Sequence, residues 1–264
     1  MTVWEANCQV KFSVWPASGT AVTNQISANS PAYDASIAVN EEWTAPSSAT
    51  TQIQANTTDY IKVPKGAVIN NLGDLTIEWL INYTALTSYD RFFSKETGNG
   101  EFAVERYADH LYIKRMDTAG VAIKAWNSPS GSLTTGLNFI QISWQASSVS
   151  STPILKINNV AQTLTYTGSG STTAWQNDSL YDLYIGNSAT NNRYIKGTFY
   201  LFRLHNTNLS SANLTDNYLN DIWRVAHTTV ATTVNWPDEL DSTESWNDEA
   251  DNIVDWPDTT QGIE

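Results

Sequence analysis

From residue 75 to residue 83 the chain alternates. Leu75, Ile77, Trp79, Ile81 and Tyr83 take every second position, with Thr76, Glu78 and Asn82 between them. Successive side chains of a strand point to opposite faces, so this pattern predicts a half-buried strand. The same period recurs at Val10, Phe12 and Val14 against Gln9, Lys11 and Ser13, and again at Ile140, Ile142 and Trp144. Asp59 to Val63 reads as a short strand stopped by Pro64, and Arg91 to Lys95 as another that enters the turn Glu96-Thr97-Gly98-Asn99-Gly100. Residues 101–107, 110–116 and 120–126 predict a meander, broken by Ala108-Asp109 and by Asp117 to Gly120. Ile154 to Ile157 and Val160 to Tyr166 flank Asn158-Asn159, a pair suited to a tight hairpin turn. Tyr181, Leu183 and Ile185 mark a further strand, and Tyr194 to His205 a long one. After it, Leu214, Tyr218 and Ile222 fall four apart on one face of a short amphipathic helix that Ser210 or Ser211 can cap. Short strands separated by turn signals every 8–12 residues or so predict an all-β sandwich closed by that helix.

Three segments follow. Residues 1–45 begin with the first alternating strand and continue into a Ser/Ala/Asn-rich stretch, either an arm or edge strands of the sandwich. Residues 46–226 hold the regular strand pattern. Residues 227–264 form a tail in which Trp236, Trp246 and Trp256 sit ten residues apart, twice, within the repeats Trp236-Pro237-Asp238, Trp246-Asn247-Asp248 and Trp256-Pro257-Asp258. The 264 residues carry a net charge of −13, and residues 235–264 contribute ten acidic residues and no basic one, so the rest is near neutral, with 17 acidic against 14 basic residues. That balance argues against non-specific nucleic-acid binding, which needs a basic footprint. No apolar run approaches the roughly 20 residues of a membrane-spanning helix, so membrane insertion is not expected. The N-terminal residues show no charged region followed by an apolar one, so a secretory leader is not expected. Cys8 is the only cysteine, which excludes an intrachain disulfide, and it reads as a buried, inert thiol.

The wording of residues 197–210, GTFYLFRLHNTNLS, resembles the last strand and closing turn of laminin-G-like, concanavalin-A-like jelly rolls, G-T-I-D-E-V-R-I-Y-N-R-A-L-S. Gly197, Thr198, Arg203, Asn206, Leu209 and Ser210 match it outright, and Phe199, Phe202 and Leu204 match in kind. Five further pieces occur in the family's order across residues 52–224: T-I-E-W-L-I-N, F-F-S-K, Q-I-S-W, I-L-K-I-N-N-V and D-L-Y-I-G-N-S. The resemblance implies a concanavalin-A-like jelly-roll sandwich with one short closing helix and N- and C-terminal extensions. It does not imply one activity, because this fold carries lectins, adhesion modules, hydrolases and virion parts alike.

Retaining glucanases on the fold carry carboxylates in an E-x-D-x-x-E pattern, which places an acid and a nucleophile on one strand face. No strand here has it: Glu101 and Glu105 flank Ala103, and Glu249-Ala250-Asp251 is followed by Val254 in the place of the last Glu. A glycan hydrolase is therefore the weakest reading, and an enzyme is not expected. Calcium is a common ligand of the family, but the positions of two family acids hold Gln145 and the pair Tyr200-Leu201. Loop acids Asp90, Asp109, Asp117 and Asp182 remain as calcium candidates. Aromatic rings stack on sugar C–H faces, and Tyr89, Tyr107, Tyr112, Trp126, Trp175 and Tyr194 sit in or near loops or strand ends as candidate glycan contacts.

Solubilising acidic tails avoid large apolar rings, whereas Trp is enriched at binding hot spots. Proline after Trp236 and Trp256 favours extended chain, which would present three anchors about 33 Å apart. The tail therefore reads as a docking peptide for protein subunits, with Trp236, Pro237, Asp238, Trp246, Asp248, Trp256, Pro257 and Asp258 as its contacts. The combined expectation is a non-enzymatic structural or recognition protein of a larger assembly, a tailed-phage virion component such as a head decoration or fibre-associated protein. The alternative is a free, extracellular carbohydrate-binding lectin, calcium-dependent or not.

Overall fold

The computed structural model describes residues 7–13, 21–30, 32–37, 53–55, 60–86, 89–95, 102–116, 123–147, 151–168, 175–188 and 193–230. In chain order the strands are β1 (Cys8–Phe12), β2 (Ala21–Val22), β3 (Ala35–Ile37), β4 (Ile53–Ala55), β5 (Ile61–Val63), β6 (Asp74–Ala85), β7 (Arg91–Lys95), β8 (Phe102–Tyr107), β9 (His110–Met116), β10 (Ile123–Asn127), β11 (Gly136–Gln145), β12 (Ile154–Ile157), β13 (Val160–Gln162), β14 (Thr165–Tyr166), β15 (Leu183–Ile185) and β16 (Lys196–His205), followed by helix α1 (Ser211–Val230). They form two antiparallel sheets. The first runs β1-β16-β6-β11-β12-β13, with β4 also paired to β16, and the second runs β14-β10-β9-β8-β7-β15-β5-β3-β2. The described parts of residues 1–45 are thus not a free arm: β1 pairs with β16 in one sheet, while β2 and β3 extend the edge of the other.

Alternation decides what lies between the sheets. Ile77, Trp79 and Ile81 of β6, Ile140, Ile142 and Trp144 of β11 and Phe202 and Leu204 of β16 meet Phe93, Phe102, Val104, Ile113, Leu183 and Ile185 of the second sheet in one core. Trp79 is at its centre, with ring centroids 5.8 Å from Phe92, 6.4 Å from Phe93 and 6.0 Å from Phe202. The hairpin expected at Asn158-Asn159 joins β12 to β13, and both residues have the positive φ (50° and 63°) that a tight two-residue turn needs.

The expected half-buried β6 is instead buried on both faces along most of its length. The reason is α1, which is also longer than the short helix expected. Ser210 accepts from the Asn213 backbone N–H at 3.2 Å and caps it. Leu214 is buried, Tyr218 stacks on Phe139 at 5.8 Å, and Ile222 packs with Leu80, Phe139 and Leu201, all on the outer face of the first sheet. Asn217 and Asp221 lie on the same face of the helix. Below them the Glu78 carboxylate meets Arg203 at 2.8 Å and accepts from Gln141 at 2.8 Å and Asn217 at 3.0 Å, while His205 approaches it at 3.3 Å. Arg203 also donates to Asp221. A buried charge is tolerated only when paired and hydrogen-bonded, and this network meets that condition at the junction of sheet and helix.

Glu78 carries a consequence for acid stability. Complete burial would raise its pKa, but the opposing pull of Arg203, His205 and Gln141 wins and holds it at about 2, below the ordinary 4.5. A group with a lowered folded pKa stabilises the fold above its unfolded value and loses that contribution as pH falls through the folded value. Glu78 is therefore expected to supply about 3 kcal/mol at neutral pH that disappears between pH about 4.5 and about 2. Denaturant unfolding across that range should show a stability loss that Glu78→Gln reduces. An unchanged acid slope in that variant would contradict this assignment.

Candidate functional site

The outer faces of the two sheets differ in kind. On the first, α1 covers the centre. On the second, the outward positions of β8 and β9 are Glu105 and Tyr107 opposite Tyr112 and His110, with Lys114 one step further along β9. Arg91 of β7 reaches the same face through a bulge between Arg91 and Phe93. That bulge lets Phe92 and Phe93 both turn into the core while Arg91 pairs across the strand with Glu105.

Three cations converge on the Glu105 carboxylate. Arg91 lies at 2.7 Å, Arg193 at 2.6 Å and Lys114 at 3.4 Å. Burial would raise the pKa of Glu105, but the attraction of Arg91, Lys114 and Arg193 prevails and lowers it. Glu105 is therefore ionised and committed to ion pairs, the opposite of the raised pKa a general acid needs. Burial, opposed by Glu105 and reinforced by Arg193, lowers Arg91 to about 10. Burial likewise lowers Lys114, with Arg91 and Arg193 adding to the effect against the pull of Glu105.

Beside these charges the fold gathers three of the candidate tyrosines. Tyr89, just before β7, meets Tyr107 edge-on at 5.3 Å, and Tyr107 meets Tyr112 at 5.9 Å. Arg193 lies over the Tyr89 ring at 5.6 Å. Tyr89 and Tyr107 are 48% and 47% exposed, and the Arg193 side chain 32%. Exposed aromatic rings fixed by neighbours, next to fixed charges, present a rigid amphipathic surface with little ordering entropy left to lose on binding.

The other candidate aromatics do not join them. Trp126 is a core residue, 3% exposed, packed on Trp144 at 5.1 Å and Tyr166 at 5.7 Å, because its position on β10 points inward. Trp175 closes the edge of the same core: it meets Trp144 at 5.2 Å, Arg115 covers its ring at 5.1 Å, and its Nε1 donates to the Ala146 carbonyl at 2.5 Å. Trp126 offers no free face to a sugar, and Trp175 is half-buried with Arg115 over its ring. Tyr194 is half-buried with Lys196 5.8 Å from its ring.

The acidic candidates are dispersed. Asp90 is buried, Asp109 pairs with Ser130 and His110, and Asp182 pairs with Lys62 at 3.0 Å and accepts from the Lys65 backbone N–H at 2.9 Å. Among the described residues no three His, Cys, Asp or Glu side chains form a group fit to hold a metal ion. Asp117, Glu101 and every tail residue named above, from Trp236 to Asp258, lie outside the described residues. Among those described, no helix is long and apolar enough to cross a membrane.

No known family matches the chain, and no curated protein matches it by sequence. Solved structures match in fold. The receptor-binding domain of a botulinum neurotoxin C/D mosaic serotype aligns over 83% of this chain with a TM-score of 0.59 and 11% identity. The binding domain of Paraclostridial Mosquitocidal Protein 1 aligns over 81% with a TM-score of 0.57 and 13% identity. A structure of botulinum neurotoxin type C, whose cell entry depends on interaction with two ganglioside molecules, aligns over 82% with a TM-score of 0.60 and 8% identity. The chain spans about half the length of these proteins, covering 52%, 52% and 51% of them in turn. At such identity the likeness is one of architecture: an all-β sandwich of the kind used in binding domains.

Proposed function

We propose that the protein is a non-enzymatic recognition protein that binds carbohydrate on the outer face of its second sheet. The observation that carries this reading is the convergence of Tyr89, Tyr107 and Tyr112, from three separate positions in the chain, into one exposed aromatic group beside Arg193. The kinship in fold to binding domains of toxins supports recognition over catalysis, as does the ion-paired state of Glu105.

A glycan array probed with the full chain tests it. The protein should retain a defined set of glycans, and Tyr89→Ala with Tyr107→Ala should weaken retention about tenfold or more while leaving the circular dichroism spectrum unchanged. Both rings are half-exposed and outside the core, so their removal should not unfold the sandwich. An array with no bound glycan, or one on which the double variant binds as well as the parent, would sink the reading.

The tail supports a second element of the proposal, anchorage in a larger assembly, with a tailed-phage virion as the expected setting. Three tryptophans at intervals of ten, flanked by Asp and Glu, suit apolar pockets with basic rims on neighbouring subunits. Changing Trp236, Trp246 and Trp256 together to alanine should abolish incorporation into native particles and leave glycan binding intact. Normal incorporation of that variant would remove the tail from the account.

A further inference from the structure

We infer that the outer face around Tyr107, Tyr112 and Arg193 takes an acidic glycan, one whose sugar ring bears a carboxylate or sulfate group; this inference rests on the carbohydrate reading above and gives it a ligand class. Arg91, Lys114 and Arg193 surround a single carboxylate, Glu105, so three positive charges meet one negative. Among the described neighbours, Asp90 and Arg106, tied by a backbone hydrogen bond of 2.7 Å, add one charge of each sign, and Asp109, beside His110 and Arg106, adds one negative charge, which reduces the surplus without removing it. This surplus occurs in a chain of net charge −13, whose acidity is concentrated in the tail.

Such a cluster is costly as it stands. Arg91 and Lys114 are nearly buried, and burial is the main reason their proton affinities are reduced, with repulsion from Arg193 adding to it. A second anion on the solvent side would offset that repulsion in a partly desolvated setting, where charge-assisted hydrogen bonds are strongest. Arg193 is the member placed to receive it. Its guanidinium touches Glu105 at one side, lies over the Tyr89 ring, and is the most exposed of the three cations. A planar guanidinium can hold a carboxylate or a sulfate by two parallel N–H donors, while the adjacent tyrosine rings accept the apolar face of the same sugar. A neutral glycan would use the rings and leave the charge surplus as it was.

Calorimetric titration of the full chain tests this with two matched pairs of probes: a hexuronate oligosaccharide and its carboxyl-reduced counterpart, and a sulfated oligosaccharide and its desulfated counterpart. At least one acidic member should bind about tenfold or more tighter than its neutral partner. That advantage should shrink as NaCl rises from about 50 to about 500 mM, because screening weakens exposed charge pairs. Arg193→Gln should remove the advantage, and Arg193→Lys should restore part of it, since the charge returns without the planar donor pair. The two pairs distinguish a carboxylate ligand from a sulfate ligand. Equal binding of acidic and neutral partners overturns the acidic class and leaves the carbohydrate reading in place. An acidic preference that Arg193→Gln leaves intact overturns the site. Absence of binding to all four probes, together with an empty array, removes both proposals.

Discussion

Arg203→Ala is expected to destabilise the protein by about 3–5 kcal/mol, because it leaves buried carboxylates without their counter-ion. Arg203 sits on β16 and faces both Glu78 on β6 and Asp221 on α1. Its pKa is raised: burial works against the charge, but the two carboxylates outweigh it. With the guanidinium gone, Glu78 keeps only neutral donors and the neighbouring His205, and Asp221 loses the partner that draws α1 onto the sheet. The helix should loosen first, so protection of the α1 amides from hydrogen exchange should fall more than that of β11. The control is the joint replacement Glu78→Leu, Arg203→Met and Asp221→Leu. Replacing a buried ion network with apolar groups of similar size is often close to neutral, so this variant should be far more stable than Arg203→Ala alone. If Arg203→Ala unfolds in denaturant like the parent, the network does not hold the helix.

Trp79→Ala should have an effect of similar size, about 3–5 kcal/mol, for a different reason. Trp79 fills the centre of the sandwich between Phe92, Phe93 and Phe202, where no side chain can move far to close the space left behind. Its Nε1 has no hydrogen-bond partner among the described residues. Trp79→Phe removes that unsatisfied donor while keeping most of the ring volume, so it should cost much less than alanine. A phenylalanine variant as unstable as the alanine one would contradict the cavity argument, because the loss would not follow the volume removed.

The sandwich was readable because its strands obey a period of two and its turns use the residues that turns require. β6, the β8–β9–β10 meander and the Asn158-Asn159 hairpin all occur where alternation and turn chemistry place them. Arg203, matched through its place in the last strand, proves to be the centre of a buried ion network. The helix face was legible only in its apolar part. Leu214, Tyr218 and Ile222 carry the spacing, whereas Asn217 and Asp221 on the same face look like solvent positions until the sheet beneath supplies Glu78 and Arg203.

The site was harder to see, for physical reasons. A tyrosine and a tryptophan near strand ends look alike in a sequence, and only strand register separates Tyr107 and Tyr112, which face out, from Trp126, which faces in. The bulge at Arg91 breaks the period of two, which hides the outward direction of Arg91. Arg193 is distant in sequence from Glu105, and no local pattern links them. Charge gave no shortcut either: 11 of the 14 basic residues lie on strands, so a strand position does not single out Arg91 and Lys114 as the ones that need a buried acidic partner.

The central claim is that carbohydrate is recognised by the tyrosine and arginine face of the second sheet. The most direct measurement is amide chemical-shift mapping of the full chain, titrated with the glycan that the array retains most strongly. The account predicts saturable shifts confined to residues around Tyr89, Tyr107, Tyr112, Lys114 and Arg193, with the far face beneath α1 unmoved. Saturable shifts clustered elsewhere, with that face unchanged, would contradict it.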